Sequence, residues 1–274
     1  MHNSDVTPLQ WHVLAPMLPP NPRIGRPYRD HRQVINGILW RIKNGAPWHA
    51  IPNQYGPWQT CYDRFRRWEK DGTWLRLLHA LQSLAAPSIA WDEVALDSTH
   101  VKVHRSASGA PHPMGDEAIG RSRGGATSKL HLVADQHARP LAVHITAGHA
   151  SDAANLLPTL NAIHVRQANG RVKRRPARLL LDRAYGARAY RQQLRALHVQ
   201  VVCPERLDHR QARLRKGAKG GRPPAFNPGA YKLRNTVERL ANRLKDFRAI
   251  ATRYDKHATS YQACVLVAMI ILWL

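Results

Sequence analysis

Apolar residues recur along this chain with two different periods, and the change falls near residue 92. Before it the spacing is helical. In "TPLQWHVLAPMLPP", Thr7 is placed to cap a helix, Pro8 sits at its first position and Gln10 completes a capping box; the prolines that follow end it. In "DHRQVINGILWRIKNG", Asp30 is the expected cap, Val34, Ile35, Ile38, Leu39 and Ile42 form the buried stripe, and Asn44-Gly45 is the stop. "GPWQTCYDRFRRWEKDG" predicts a third helix with Cys61, Phe65 and Trp68 on one face and Arg64, Arg66 and Arg67 beside it. "TWLRLLHALQSL" predicts a fourth. Short helices joined by tight turns, with a basic helix third in line, suit a helix-turn-helix-like module in which those three arginines meet DNA, or a plain helical bundle; the net basic charge of this part favours the first.

From residue 92 the pattern becomes that of strands. "DEVALDST" alternates, with Val94 and Leu96 on one face and Asp97 on the other. "KLHLVADQ", a turn at "HARP" and "LAVHITAG" predict a hairpin or meander. A helix is expected from about Ser151, with Ser151 as cap and Asp152 in its first turn. The apolar run in "ARLLLDRAY" predicts a strand buried on both faces. The helix "ARAYRQQLRAL" and the short strand "VQVVCP" follow. A meander and then alternating strands and helices describe an α/β fold, a mixed sheet with flanking helices. Residues 204–230 break the pattern. They are polar, basic and rich in Gly and Pro, which reads as a loop or insertion ordered on DNA. The tripeptide Gly-Arg-Pro occurs at Gly25 to Pro27 and at Gly221 to Pro223; it suits an arginine reaching into a minor groove or a plain linker.

Charge changes what this fold is for. The chain carries 42 Lys and Arg against 18 Asp and Glu, a formal net charge of +24 over 274 residues. A surplus of this size calls for a polyanionic partner, with nucleic acid first and an anionic membrane second. The longest apolar run, "ACVLVAMIILWL", falls short of the roughly 20 residues of a spanning helix and reads as a buried terminal helix. No signal peptide is expected in "MHNSDVTPLQW". Cys61, Cys203 and Cys264 are odd in number, far apart and in no CxxC spacing, which points to a reducing, cytoplasmic setting and away from structural zinc. His100 and His104 read as ordinary polar residues.

Acidic residues are scarce after residue 91, so their positions carry information. Asp97 faces away from Val94 and Leu96, and Asp182 ends the buried run "RLLL". Active sites of open sheets gather at strand ends, although a strand-end Asp is also a common turn-former. In "YKLRNTVERLANRLK" (231–245), Tyr231, Arg234, Glu238 and Lys245 fall within an arc of about 60° on a helix, with Leu233, Leu240 and Leu244 opposite. On a free surface Arg234 and Glu238 would be a plain i,i+4 pair. In a site, the carboxylate would bind metal and the cations would hold phosphates. Phosphodiester chemistry uses such a set: carboxylate oxygens for two hard divalent ions, magnesium or manganese, that activate a nucleophile and stabilise a leaving oxygen.

The sequence resembles bacterial insertion-sequence transposases of the DDE type, close to the family conventionally numbered five. The signature Tyr, two residues, Arg, three, Glu, six, Lys fits Tyr231, Arg234, Glu238 and Lys245 without a gap. "LDSTHV", "AIGRSRGGATSKLHLVAD", "LDRAYG", "FRAIATRYDK", "GPWQTCYDRFRRW" and "GRPYRDHRQVINGILWRIKNGAPW" read as blocks of the same family, and together they span nearly the whole chain. The resemblance implies a ribonuclease-H-like catalytic domain at 91–274 with Asp97, Asp182 and Glu238 as its metal-binding triad. It implies a helical domain at 1–90 that recognises terminal inverted repeats. It implies DNA cleavage by water followed by attack of a 3′-hydroxyl on target DNA, with Tyr231, Arg234 and Lys245 as DNA contacts. The partners it implies are transposon ends and target DNA, met by a homodimer or larger assembly at the nucleoid. Lys129 and His131 lie in a family block without an assigned role. Ala241 and Gly186 depart from the usual residues, and Glu205 to Pro224 is unusually basic. A DNA-binding protein without catalysis would be expected to lack one of the three acids. A Tyr or Ser recombinase would need a covalent link to DNA and no metal.

Overall fold

The computed structural model describes residues 5–20, 27–109 and 116–274. Gly25 and Arg26 of the first Gly-Arg-Pro lie outside them. The amino-terminal part consists of helices α1 (Pro8–Leu14), α2 (His31–Asn44), α3 (Trp58–Lys70) and α4 (Thr73–Leu84). Their ends follow local chemistry. Thr7 and Gln10 form the reciprocal capping box, Asp30 accepts from the Gln33 N–H, and Gly45 closes α2 at φ 64°, a left-handed conformation that favours glycine.

Strands β1 (Glu93–Val103), β2 (Gly120–Ser122), β3 (Gly125–Ala134) and β4 (Pro140–Ala147) form an antiparallel set. Helix α5 (Leu156–Asn161) and a small ribbon of β5 (Val165–Arg166) and β6 (Val172–Lys173) lead to β7 (Arg178–Leu181). Helix α6 (Arg188–Ala196) leads on to β8 (Gln200–Val202). Both β7 and β8 join the sheet in parallel, so the path across it runs β4-β3-β1-β7-β8. A meander of three strands extended by two parallel ones is the ribonuclease-H-like mixed sheet expected from the sequence.

Two elements differ from expectation. The helix expected from Ser151 is entered through a turn in which Ser151 Oγ accepts from the Ala154 N–H at 3.5 Å and its carbonyl from the Asn155 N–H at 3.3 Å; the regular helix begins at Leu156, and Asp152 is held by Ser98 and Lys129. The basic segment after residue 203 contains helix α7 (Leu207–Arg215), which buries none of its residues and is tied down by an Arg213–Glu205 ion pair at 3.0 Å.

Helices α8 (Pro228–Tyr231) and α9 (Asn235–Lys245) follow, separated by a 3₁₀ turn over Lys232–Arg234. Then come α10 (Arg248–Ala251), the two-residue β9 (Thr252–Arg253) and α11 (Ala258–Trp273). One face of the sheet, with Val94, Leu96, Leu179 and Leu181, packs on α5 and α6. The other, with Ala95, Leu130, Leu132 and Leu180, shares a single core with α2, α3, α4, α9 and α11. The terminal apolar run is therefore a buried helix. Among the described residues no helix is long and apolar enough to cross a membrane.

Candidate active site

The site is set by strand register. Leu96 of β1 lies opposite Leu181 of the parallel strand β7, so the next residue on each strand, Asp97 and Asp182, stands at the same level. There β7 ends, and Asp182 turns into a short 3₁₀ helix whose first N–H, of Arg183, donates to its Oδ1 at 2.6 Å. The longer β1 continues, and the Ser98 N–H donates to Asp97 Oδ1 at 2.8 Å. Each carboxylate thus has one oxygen oriented by a backbone donor.

Helix α9 covers the face of β1 that carries Asp97. Leu240 and Leu244 are fully buried and anchor it. This leaves Glu238 at the rim of a cleft of about 140 Å³ lined by Asp97, Ser98, Thr99, Leu132, Val237, Glu238, Ala241 and Asn242. Arg234 spans the cleft: Nη1 donates to Asp97 Oδ2 at 2.7 Å and Nη2 to Glu238 Oε1. Tyr231 lies under the same guanidinium, 5.8 Å from ring centre to Cζ. Lys245 donates to Thr99 Oγ1 at 2.6 Å, two residues along β1 from Asp97. Arg234 thus joins Glu238 and Tyr231 to Asp97, while Lys245 stands at Thr99 on the same strand. Tyr185, buried behind the strand ends, has its hydroxyl near Ser98, Asp97, Asp152 and Asp182; among the described residues it makes no hydrogen bond of ordinary geometry.

Electrostatics follow from this crowding. Burial raises the Asp97 pKa, and neighbouring Asp182 adds to the rise; the Ser98 N–H and Arg234 oppose it. Burial works against the charge of Arg234, yet Asp97, Glu238 and Tyr231 together push its pKa up. Burial lowers the Lys245 pKa and raises that of Tyr231. Two adjacent carboxylates at the edge of a cleft need positive charge between them. Their oxygens are the donors that hard divalent cations prefer, so the residues present fit such ions. Glu238 joins the pair through Arg234. Among the described residues no three metal-ligating side chains are already gathered into one cluster.

The three arginines of α3 are dispersed. Arg64 is buried, stacked on Tyr28 and Trp68 at 4.2 and 5.4 Å. Arg66 is paired with Glu69 at 2.6 Å, and Glu69 in turn accepts from Thr259 at 2.7 Å at the start of α11. Arg67 is exposed. The two histidines at 100 and 104 do not meet: His100 bonds the Gly148 carbonyl at 3.1 Å and His104 bonds Ser106 at 2.8 Å. A residue missed in the sequence is Asp152. It meets Ser98, the neighbour of Asp97, and only the fold brings it there.

Two protein-family models match this chain. Residues 92–273 match the transposase DDE domain, and residues 6–78 match a putative transposase of IS4/5 family. The chain belongs to the DDE transposases. A putative transposase for insertion sequence element IS402 of Burkholderia cepacia is 29% identical over 162 residues, 58% of this chain and 68% of the relative. A putative transposase for insertion sequence element IS6501 of Brucella ovis is 27% identical over 151 residues, 54% of this chain and 98% of the relative. Among solved structures, the Mos1 transposase paired-end complex with left transposon end overlaps 83% of this chain and 82% of its own. It does so at 15% identity and a TM-score of 0.26, too loose a superposition to bear on the site. This transposase is thus an enzyme that acts on DNA, of the insertion-sequence kind that its motif spacing resembles.

Proposed function

We propose that this transposase cuts the ends of its element and joins them to target DNA at a site built from Asp97, Asp182 and Glu238. The observation that carries the reading is the Leu96–Leu181 register, which puts Asp182, just past the end of β7, level with Asp97 of β1, while Asp97 and Glu238 line one cleft. The three carboxylates would hold two divalent ions, magnesium or manganese. Bound ions of this kind lower the pKa of an attacking water and stabilise the leaving oxygen. Arg234 and Lys245 would grip phosphates beside the cut, and Tyr231 would support the Arg234 guanidinium from below. Residues 1–90 would recognise the terminal inverted repeats. Arg67 is the α3 arginine whose exposure suits a phosphate contact, while Arg64 bonds His31 of α2 and Arg66 bonds Ser260 of α11. Residues 91–274 would carry the chemistry. Two or more copies would act together on paired ends.

The test uses supercoiled DNA bearing the element's ends, with magnesium or manganese. Asp97→Asn, Asp182→Asn and Glu238→Gln should each lower nicking on the order of 10²-fold or more, the scale of losing one transition-state stabiliser. Affinity for the ends should persist in all three. Nicking equal to wild type in any of them removes that residue from the triad, and nicking that survives a chelator removes the metal mechanism.

A further inference from the structure

The block containing Lys129 and His131 takes no part in the chemistry above. The side chains of Lys129 and His131 lie behind the sheet, on the face opposite Asp97. The register fixes this: Ser98 pairs with His131 and His100 with Lys129, whereas Asp97 pairs with Leu132. Successive side chains of a strand point to opposite faces. Lys129 is 5% exposed, so its ammonium needs partners. It donates to the Ala150 carbonyl at 2.7 Å and lies 2.9 Å from Asp152 Oδ1. That same oxygen accepts from Ser98 Oγ at 2.7 Å. The Ser98 N–H, in turn, is the donor that orients Asp97 Oδ1 at 2.8 Å. Contacts therefore run without a gap from Lys129 through Asp152 and Ser98 to Asp97, crossing β1 from back to front.

We propose that Lys129 and Asp152 are positioning residues that act through Ser98 to hold the Asp97 carboxylate in the orientation its ligand role requires. The proposal rests on the metal-binding reading of the triad. Asp97 stands beyond the last paired residue of β7, where the ladder that would stiffen β1 on that side has stopped. A side chain pinned on the far face can replace that constraint, because a fully satisfied buried network is rigid. Asp152 lies against Ser98 and Lys129; burial pushes its carboxyl up, and hydrogen bonds from both more than offset this and hold it below the usual range. Outer partners that orient a metal ligand typically account for about 10–100-fold in metal affinity.

The experiment measures manganese binding to the full-length protein by calorimetry without DNA, and nicking as a function of manganese concentration. Asp152→Asn and Ser98→Ala should weaken manganese binding roughly 10–100-fold. They should raise the concentration for half-maximal nicking in parallel, with affinity for DNA ends unchanged. Breaking one side of a buried pair also destabilises, so the deciding variant is Lys129→Met with Asp152→Asn. Removing both charges should bring the melting temperature back toward wild type while manganese binding stays weak. If the double variant recovers wild-type manganese affinity together with its stability, or if the single variants never lose it, the proposal is overturned. Asp97→Asn is the control for the underlying reading: manganese binding undiminished in that variant would overturn the triad's metal role itself, whatever the relay variants do.

Discussion

Arg64, Arg66 and Arg67 stand within four positions of one helix and meet three different fates: stacked under Tyr28, paired with Glu69, and exposed. The sequence shows a basic face. It does not show that Tyr28 and Ser260, remote along the chain, will meet Arg64 and Arg66 on that face. Asp152 was read as a first-turn acid for the same reason, since such an acid and a tertiary acceptor look alike until the partner is known. Asp97, Asp182 and Glu238 could be singled out because each stands out locally, two after apolar strand positions and one on a helical stripe. His131 gives a prediction at this scale. It is fully buried, and burial pushes its pKa down to about 4 from 6.5. The folded state keeps it neutral while the unfolded chain takes up a proton below about pH 6.5. Its contribution to stability is therefore complete above pH 6.5 and is lost as the pH falls toward 4. Calorimetry should show the melting temperature dropping between pH 7 and 4.5, and His131→Asn should flatten that drop. A slope unchanged by the substitution would place the acid sensitivity elsewhere.

Among the elements, those governed by neighbouring residues were the easiest to foresee. The capping box at Thr7, the Asp30 cap and the Gly45 stop are chemistry within a few positions, and they lie where the pattern put them. The helix read over 231–245 is interrupted by the 3₁₀ turn at Lys232–Arg234. That turn coincides with the point where the Arg234 guanidinium reaches across to Asp97, a contact between parts of the chain 137 residues apart. The inward leucines and the outward stripe survive the change of winding. How closely two elements approach is equally hidden in a pattern of apolar residues. Gly37 on α2 is a case: a Cβ there would meet Cys61 Sγ at 2.8 Å and Tyr55 Cβ at 2.9 Å. Gly37→Ala should cost about 1–3 kcal/mol through overpacking, despite its gain in helix propensity. Urea unfolding would measure it, and a neutral or stabilising result would mean that α2 and α3 can separate without loss.

At the scale of the whole molecule, a mixed sheet was foreseeable from the change in period at residue 92 and its ribonuclease-H-like order from the family resemblance, but the manner in which the helical part rests on it was not. The amino-terminal helices pack against α11 in a shared core, and Arg41 of α2 pairs with Asp255, just ahead of α11, at 3.2 Å with both side chains almost fully enclosed. A fragment ending at residue 90 would expose the apolar faces that α11 covers. Such a fragment should lack a cooperative thermal transition, whereas the full chain should unfold with one. A sharp transition in the fragment would show that its helices need no cover.

The shared core also has a meaning in time. Synthesis runs from the amino terminus at about 5–20 residues per second. The 174 positions from the end of α4 at Leu84 to the start of α11 at Ala258 take roughly 10–35 s to emerge at that rate. For that interval the nascent helices present an unfinished apolar face to chaperones on the ribosome. The arm that would recognise DNA becomes firm only when α11 arrives, after the strands bearing Asp97 and Asp182 and the helix bearing Glu238 have already been made.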